Sequence, residues 1–157
     1  MDDLRIFRQC LGQFATGVTV VTCRDQDENA CGITANSFSS VSLDPPLLLW
    51  NIAKSSNSLQ AYLDAEYFAI NLLTQEQRNI SAHFAQSDHR IFDGVEYSIS
   101  ADGAPILPAT LACFECRTTD RHECGDHYII IGEVEKYRLN GGRPLLFFAG
   151  DYAALKE

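Results

Sequence analysis

Positive charge is scarce in this sequence: 12 lysines and arginines stand against 21 aspartates and glutamates, and the formal net charge at pH 7 is -9. Such a chain is repelled by nucleic-acid phosphates and by anionic membrane surfaces, so we expect neither as its main partner. No apolar run is long enough to span a bilayer. The first residues, MDDLRIFRQ, lack the basic start of a secretory signal, and we therefore expect a cytoplasmic protein.

Familiar catalytic and nucleotide-binding motifs are also missing. The sequence contains no G-x-S-x-G elbow, so it gives little support for a hydrolase. Because there is neither a G-x-G-x-x-G stretch nor a P-loop, a nucleotide cofactor would have to bind by another route. The sequence has no repeat, linker or low-complexity segment, and its 157 residues predict one domain that spans residues 1–157.

The six cysteines are expected to be thiols, because disulfides are rare in cytosolic proteins. Cys113-x-x-Cys116 with Cys124-x-x-His127 is one candidate zinc site. However, Cys113 and Cys116 lie in a predicted strand, where residues three apart point to opposite faces, and the residues between them are poor turn formers. We therefore expect two buried or semi-buried thiols and no metal, with a zinc-stabilised interaction module as the weaker alternative.

Hydrophobic periodicity predicts mainly strands, with short helices early in the chain. The first helix has Asp2 or Asp3 as its cap and ends at Gly17, and Thr74-x-x-Gln77 is a capping box that opens another helix. Polar residues Asp120–Asp126 predict a turn. Tandem hairpins favour an antiparallel barrel of seven or eight strands. The main predicted strands are Val18–Cys23, Ala30–Thr34, Leu47–Ile52, Tyr67–Leu73, Leu111–Thr119, His127–Leu139 and Leu145–Ala149.

The stretch Gly32–Pro46, GITANSFSSVSLDPP, organises the chain. Neither strict alternation nor a helical stripe fits it. Its short hydroxyls and amides can hold an irregular backbone, as in a serine-rich turn between strands, or can donate to a phosphate or to the edge of a planar heterocycle. Both interpretations stay open from composition. The polar side chains are Thr34, Asn36, Ser37, Ser39, Ser40 and Ser42.

Two further places could bind a ligand. Lys54 precedes a short helix over Leu59–Asp64 that Ser55 or Ser56 can cap, so this helix start could receive a phosphate, although plain capping is the commoner use. His127 opens a strand and lies at a sheet rim, where it is either a surface residue or a donor to a ligand. His83 lies on a helix, where a surface position is the simpler interpretation.

Four blocks together resemble the flavin reductase-like family, the small reductase component of two-component flavin monooxygenases. They are ATGVTVVT, GITANSFSSVSLDPPL, GDHYIIIGEV and LLFFAGDY, at Ala15–Thr22, Gly32–Leu47, Gly125–Val134 and Leu145–Tyr152. The resemblance implies an antiparallel Greek-key split β-barrel with short peripheral helices, working as a homodimer. It also implies reduction of FAD or FMN by NADH or NADPH and release of the reduced flavin to a separate monooxygenase.

The same resemblance implies positions for the binding residues. His127 would position the nicotinamide without acting as an obligatory proton donor, and hydride transfer itself is the chemistry of the two cofactors. A flavin-binding protein without reductase turnover is the main alternative. The residues implied for flavin are Asn36, Ser37, Phe38, Ser39, Ser40, Ser42, Leu43, Lys54, Ser55, Ser58, His83 and Phe84, and those on the nicotinamide side are His127, Phe148, Gly150 and Tyr152.

Overall fold

The computed structural model of the chain describes residues 3–86 and 91–157 and is mainly β. Three short helices, α1 (Leu4–Gly12), α2 (Leu59–Asp64) and α3 (Arg78–Phe84), accompany the strands, and a single 3₁₀ turn, Gln75–Gln77, precedes α3. The strands in the described part are β1 (Thr16–Gly17), β2 (Thr19–Arg24), β3 (Ala30–Ala35), β4 (Ser39–Leu43), β5 (Pro46–Ala53), β6 (Tyr67–Leu72), β7 (Ser98–Ile99), β8 (Pro105–Ile106), β9 (Ala112–Cys124), β10 (His127–Leu139), β11 (Leu146–Phe148) and β12 (Asp151–Ala153).

The seven longer strands form one antiparallel sheet in the order β3-β2-β6-β9-β10-β5-β4. The short strands make two small sheets, β1-β11-β12 and β7-β8. The prediction of a mainly β, antiparallel fold with short helices is therefore confirmed. Among the described residues the ladders leave β3 and β4 at opposite ends of the main sheet, so its hydrogen bonds do not close a barrel.

Alternation along β5 explains where the core lies. Leu48, Trp50 and Ile52 are at most 3% exposed, whereas the residues between them are half-buried on the other face. The Trp50 ring packs edge-on against Tyr62, with ring centroids 4.9 Å apart, and lies 6.3 Å from Phe68. Burying such large apolar and aromatic side chains is the main stabilising contribution to the fold.

The first helix differs from its predicted form. Asp3 caps it, accepting from the backbone N–H groups of Arg5 and Ile6, but the helix ends at Gly12 and not at Gly17. Gly17 lies instead in β1, opposite Leu146. Pairing with a distant strand overrides the local helical pattern here. The alternative cap, Asp2, lies outside the described residues.

The predicted turn Asp120–Asp126 is wrong in length. Strand β9 continues to Cys124, and the turn holds only Gly125, in the left-handed region at φ +62°, and Asp126. Residues 120–124 are polar because they are exposed, and they pair with β10 from Ile131 to His127. Polarity in this segment therefore indicates an exposed ladder and not a chain reversal.

The serine-rich stretch Gly32–Pro46 is mostly strand, and its first residues belong to β3. Residues 39–43 form β4 at the edge of the main sheet, with a register shift between Ser40 and Ser42 in its pairing with β5. A bulge places one extra residue in the strand, which explains why neither periodicity fits the sequence.

Two predicted caps have different outcomes. The capping box is confirmed, with the Gln77 side chain accepting from the Thr74 N–H. Ser58, and not Ser55 or Ser56, immediately precedes α2, and its side chain makes no capping bond. The polar segment from Gln86 to Ser100 lies partly outside the described residues and contains β7. None of the helices in residues 3–86 and 91–157 is long and apolar enough to cross a membrane.

Close packing at Gly132 gives a stability prediction. A Cβ there would lie 2.5 Å from the Phe68 ring and 3.0 Å from the Cys116 Cβ, whereas a Cβ at Gly17 would have no neighbour within 4 Å. Gly132→Ala should lower the free energy of unfolding by about 1–3 kcal/mol through overpacking. Gly17→Ala is the matched control, and urea unfolding measures both. Equal midpoints for the two variants would contradict this packing.

Candidate active site

The strand registers bring two predicted residues together at one rim of the sheet. His127 opens β10 opposite Ala53, the last residue of β5. The Lys54 N–H then donates to the Asp126 carbonyl at 2.9 Å. The backbones of Lys54 and His127, far apart in the sequence, are thus adjacent at this rim, while the alternation along β5 and β10 turns their side chains to opposite faces of the sheet.

His127 is oriented by its neighbour. Its Nδ1 lies 2.7 Å from Asp126 Oδ1, and because a carboxylate only accepts, Nδ1 carries the hydrogen and donates. Nε2 of the neutral ring is then an acceptor. The hydrogen bond from His127, and then its charge, hold the pKa of Asp126 below its usual value. The imidazole is 46% exposed, so it can reach a ligand.

Lys54 is engaged within the protein. Its Nζ lies 2.5 Å from Glu123 Oε1 and 5.8 Å from the centre of the Tyr128 ring. The hydrogen bond to Glu123 is the largest cause of a raised pKa at Lys54. A phosphate that binds Lys54 would therefore have to replace a carboxylate. Ser55, the next residue, is exposed.

One hydroxyl ties the serine-rich stretch to β5. Ser37 Oγ accepts from the Asn51 N–H at 2.9 Å and donates to the Asn51 carbonyl at 3.2 Å. This side chain therefore holds the backbone of residues 36–38 against the strand. The contact with flavin that the resemblance implies for Ser37 stays a prediction.

The other members of the stretch differ in accessibility. Asn36 and Ser40 are exposed, as is Ser39, whose hydroxyl donates to the Ser40 carbonyl at 3.0 Å. Phe38 stacks on Phe114, with ring centroids 5.9 Å apart, and packs against the core. The exposed side chains of Asn36, Ser39 and Ser40 and the half-buried side chain of Ser42 are therefore accessible to a ligand. Leu43, at the end of β4, is 94% exposed.

A separate polar chain joins β3, α3 and β12. Thr34 Oγ1 donates to the Ser81 carbonyl at 2.6 Å, and Ser81 Oγ lies 2.7 Å from the Tyr152 hydroxyl. The Arg78 guanidinium lies 4.9 Å from the centre of the Tyr152 ring. Tyr152 is thus held in place by the helix, and the half-exposed Phe148 lies in the neighbouring strand, opposite Asp151.

The predicted α3 contacts are largely structural. His83 Nε2 hydrogen-bonds the Ile91 carbonyl at 2.5 Å, and its ring packs edge-on against Phe84. Phe84 is 1% exposed in the second apolar cluster. Gly150, at φ +85°, turns the chain from β11 into β12.

A cavity of about 870 Å³ lies beside these segments, which is within the usual range for ligand sites of about 300–1,000 Å³. Two of the predicted site residues, Ser58 and Phe84, line this cavity. Gly32 of β3 lines it as well. Among the described lining residues there are carboxylates and no lysine or arginine, so this space suits a neutral ring better than a phosphate. The carboxylates are Asp25, Asp27, Asp64 and Asp93.

Asn51 is a candidate that the sequence analysis missed. Its Oδ1 is buried and has no partner within the described structure. It pairs with Ile129, two residues from His127, so the two side chains share one face of the sheet. The sequence does carry a signal for this residue, a single amide in the apolar run LLLWNI. A buried polar group needs a hydrogen-bond partner, so an isolated amide in such a run indicates a candidate ligand contact.

The cysteines pack as the alternation argument predicts. Cys113 and Cys116 are buried in two different apolar clusters. Burial raises the pKa of the Cys113 thiol to about 12, and it raises the pKa of Cys116 as well. Within residues 3–86 and 91–157, no group of three potential metal-ligating side chains comes together.

Comparison with known proteins defines the family. The family model described as flavin reductase like domain matches residues 11–156. The chain is 47% identical over 151 residues to the FMN reductase (NADH) SmoA of Agrobacterium fabrum, covering 96% of this chain and 86% of that one. It is 38% identical over 157 residues to HsaB, the reductase subunit of a flavin-dependent monooxygenase of Mycobacterium tuberculosis, covering 98% and 83% of the two chains.

A solved structure agrees in fold. The NADH:FAD oxidoreductase SgcE6 of Streptomyces globisporus, in complex with NAD and FAD fragments, superposes with a TM-score of 0.90 at 35% identity, over 96% of this chain and 91% of that one. The chain therefore belongs to the flavin reductase-like family, and the family predicted from the four sequence blocks is confirmed.

Accessibility along β4 gives a binding prediction. Ser39→Ala combined with Ser40→Ala should raise the Michaelis constant for flavin severalfold, because each lost hydrogen bond contributes about 0.5–1.5 kcal/mol. Ser98→Ala, on the exposed strand β7, is the matched control. Steady-state kinetics with varied flavin checks this. An unchanged constant in the double variant would mean that the two hydroxyls do not contact the flavin.

Proposed function

We propose that this protein is an NAD(P)H:flavin oxidoreductase, which transfers hydride from NADH or NADPH to FAD or FMN and releases the reduced flavin. The observation that carries the proposal is the family match over residues 11–156, since it includes every segment for which ligand contacts were predicted. The names of the relatives support both cofactors, one being an NADH-dependent FMN reductase and another an NADH:FAD oxidoreductase.

The residues at the rim fit a flavin. Asn36, Ser39 and Ser40 offer exposed polar groups beside β5. The Asn51 Oδ1, which has no partner among the described residues, can accept from a ring N–H. Lys54 provides a cation for a phosphate group. When bound, the flavin supplies the two-electron acceptor, and the protein holds the two rings close together and aligned.

His127 positions the nicotinamide in this proposal. With Nδ1 donating to Asp126, the free Nε2 can accept from the carboxamide N–H of the nicotinamide. No proton transfer from this histidine is needed, because hydride moves directly between the cofactors. We assign Phe148, Gly150 and Tyr152 to the nicotinamide side as well, on the resemblance to the family.

The acceptor of the reduced flavin is proposed to be a separate flavin-dependent monooxygenase. One relative is named as the reductase subunit of such an enzyme, and others are reductase components for stachydrine demethylation and trigonelline oxidation. The exposed position of Lys54 and His127 suits a flavin that leaves after reduction. A cytoplasmic location fits the six free thiols.

We further propose that residues 1–157 form one domain whose main sheet curls into a Greek-key split β-barrel. The bond from Ser37 to β5 supports this, because it draws the end of β3 toward the opposite end of the sheet.

A homodimer is the proposed assembly. The apolar face of α1 is exposed and the helix has no buried residue: Leu4 is 59% exposed and Leu11 59%. A second apolar surface lies on the outer face of the main sheet, where Leu49 and Ile131 are half-buried opposite each other. A partner subunit that covers such faces would remove this apolar area from water.

The reaction is tested by mixing the purified protein with NADH or NADPH and either flavin. Loss of nicotinamide absorbance that depends on added flavin is expected. Flavin binding without turnover would contradict the proposal and favour a flavin-binding protein that is not a reductase.

His127→Ala should raise the Michaelis constant for the nicotinamide about two- to tenfold, because a hydrogen bond to a positioned ligand is lost, while the dissociation constant for flavin changes little. The control is His122→Ala, an exposed histidine on β9. Initial rates and flavin titration separate the two effects. An equal loss of flavin and nicotinamide affinity would contradict the assigned role.

Leu11→Glu should weaken self-association about tenfold or more by placing a charge in the α1 contact. Gln9→Glu, on the opposite side of the helix, is the matched control. Light scattering after size-exclusion chromatography measures the mass as a function of concentration. A monomeric wild-type protein, or a variant as dimeric as wild type, would rule out this interface.

A further inference from the structure

Glu123 and Lys54 meet across the strand that separates them. Glu123 pairs with Tyr128 in the β9–β10 ladder, and Tyr128 pairs with Ile52 in the β10–β5 ladder. Directly opposite residues point to the same face, and Lys54 follows Ile52 by two positions. The Lys54 ammonium lies near the Tyr128 ring and contacts the Glu123 carboxylate at 2.5 Å.

We propose that Glu123 is a positioning residue that competes with the flavin phosphate for the Lys54 ammonium, and thereby weakens flavin binding and favours release of the reduced flavin. The inference rests on the proposed function, in which Lys54 binds that phosphate. It assigns to β9 a residue that controls how long flavin stays bound.

The competition follows from charge. A phosphate and a carboxylate held by one ammonium would lie within a few ångströms of each other and repel. The phosphate therefore has to displace Glu123 from Lys54. The side chains of Lys54 and Glu123 are 36% and 64% exposed, so their pair is weak and can exchange partners readily.

A comparison of riboflavin with FMN separates an effect on the phosphate contact from an effect on flavin binding in general. Riboflavin carries the same ring as FMN but no phosphate, so its binding requires no exchange at Lys54. The ratio of the riboflavin and FMN dissociation constants therefore reports on the phosphate contact alone.

The experiment titrates the purified protein with FMN and with riboflavin, without nicotinamide and at fixed ionic strength, and follows flavin fluorescence. Glu123→Gln should tighten FMN binding about three- to fivefold, in line with an exposed ion pair, and leave riboflavin binding unchanged. Asp120→Asn is the charge control: it removes an exposed carboxylate of the same strand, and it should leave the ratio of the two dissociation constants unchanged.

A double-mutant cycle with Lys54→Met completes the test. Lys54→Met should reduce the preference for FMN, and Glu123→Gln should then have no further effect on that preference. The inference is overturned if Glu123→Gln leaves FMN binding unchanged, tightens riboflavin equally, or acts as strongly without Lys54.

Its failure can be told apart from failure of the proposed function. If Lys54→Met keeps the full preference for FMN while the wild-type protein still oxidises NADH in the presence of flavin, Lys54 does not bind the phosphate and only this inference falls. If the wild-type protein reduces no flavin, the proposed function itself fails.

Discussion

Strand β5 is the constraint on which the arrangement of the candidate site depends. One edge of β5 pairs with the serine-rich strand β4, and the other pairs with β10, which begins at His127. Its inner side chains Trp50 and Ile52 are fixed in the core, so neither neighbour can slip by one residue without turning its side chains to the opposite face. The core thus determines the separation of the groups at the rim.

The charge of the chain bears on how it would hold an anionic cofactor. With a net charge of -9, the protein repels nucleotides at long range, and the cavity beside β3 is lined by carboxylates. Among the described residues, Lys54 at the rim contacts Glu123, and Arg78 of α3 lies over the Tyr152 ring. In the proposed function, such a site would bind flavin through neutral donors and hold its phosphate weakly, which suits a cofactor that leaves after reduction.

Much of the fold could be predicted because its signals are local. The apolar run of β5 and the capping box at Thr74 are visible within a few residues, and both were found. The end of α1 and the length of β9 were missed because distant strands decide them: Gly17 pairs with Leu146, and Asp120 pairs with Ile131. Local polarity carries no information about such pairing.

The candidate site also combines features that local sequence signals predict with contacts that depend on distant strands. The serine-rich stretch and His127 could be selected by residue type and by resemblance to the family. The bond of Ser37 to the Asn51 backbone, and the pairing of Lys54 with Glu123, join residues that only the strand register brings together. Contacts of this kind decide which polar groups are free for a ligand, and no spacing in the sequence encodes them.

The most direct test of the account is a crystal structure of the protein with FMN bound. The account predicts that the flavin ring lies against residues 36–42 beside Asn51, with its phosphate within hydrogen-bonding distance of Lys54 Nζ. A flavin bound elsewhere, with the serine-rich strand and Lys54 free of contact, would contradict it.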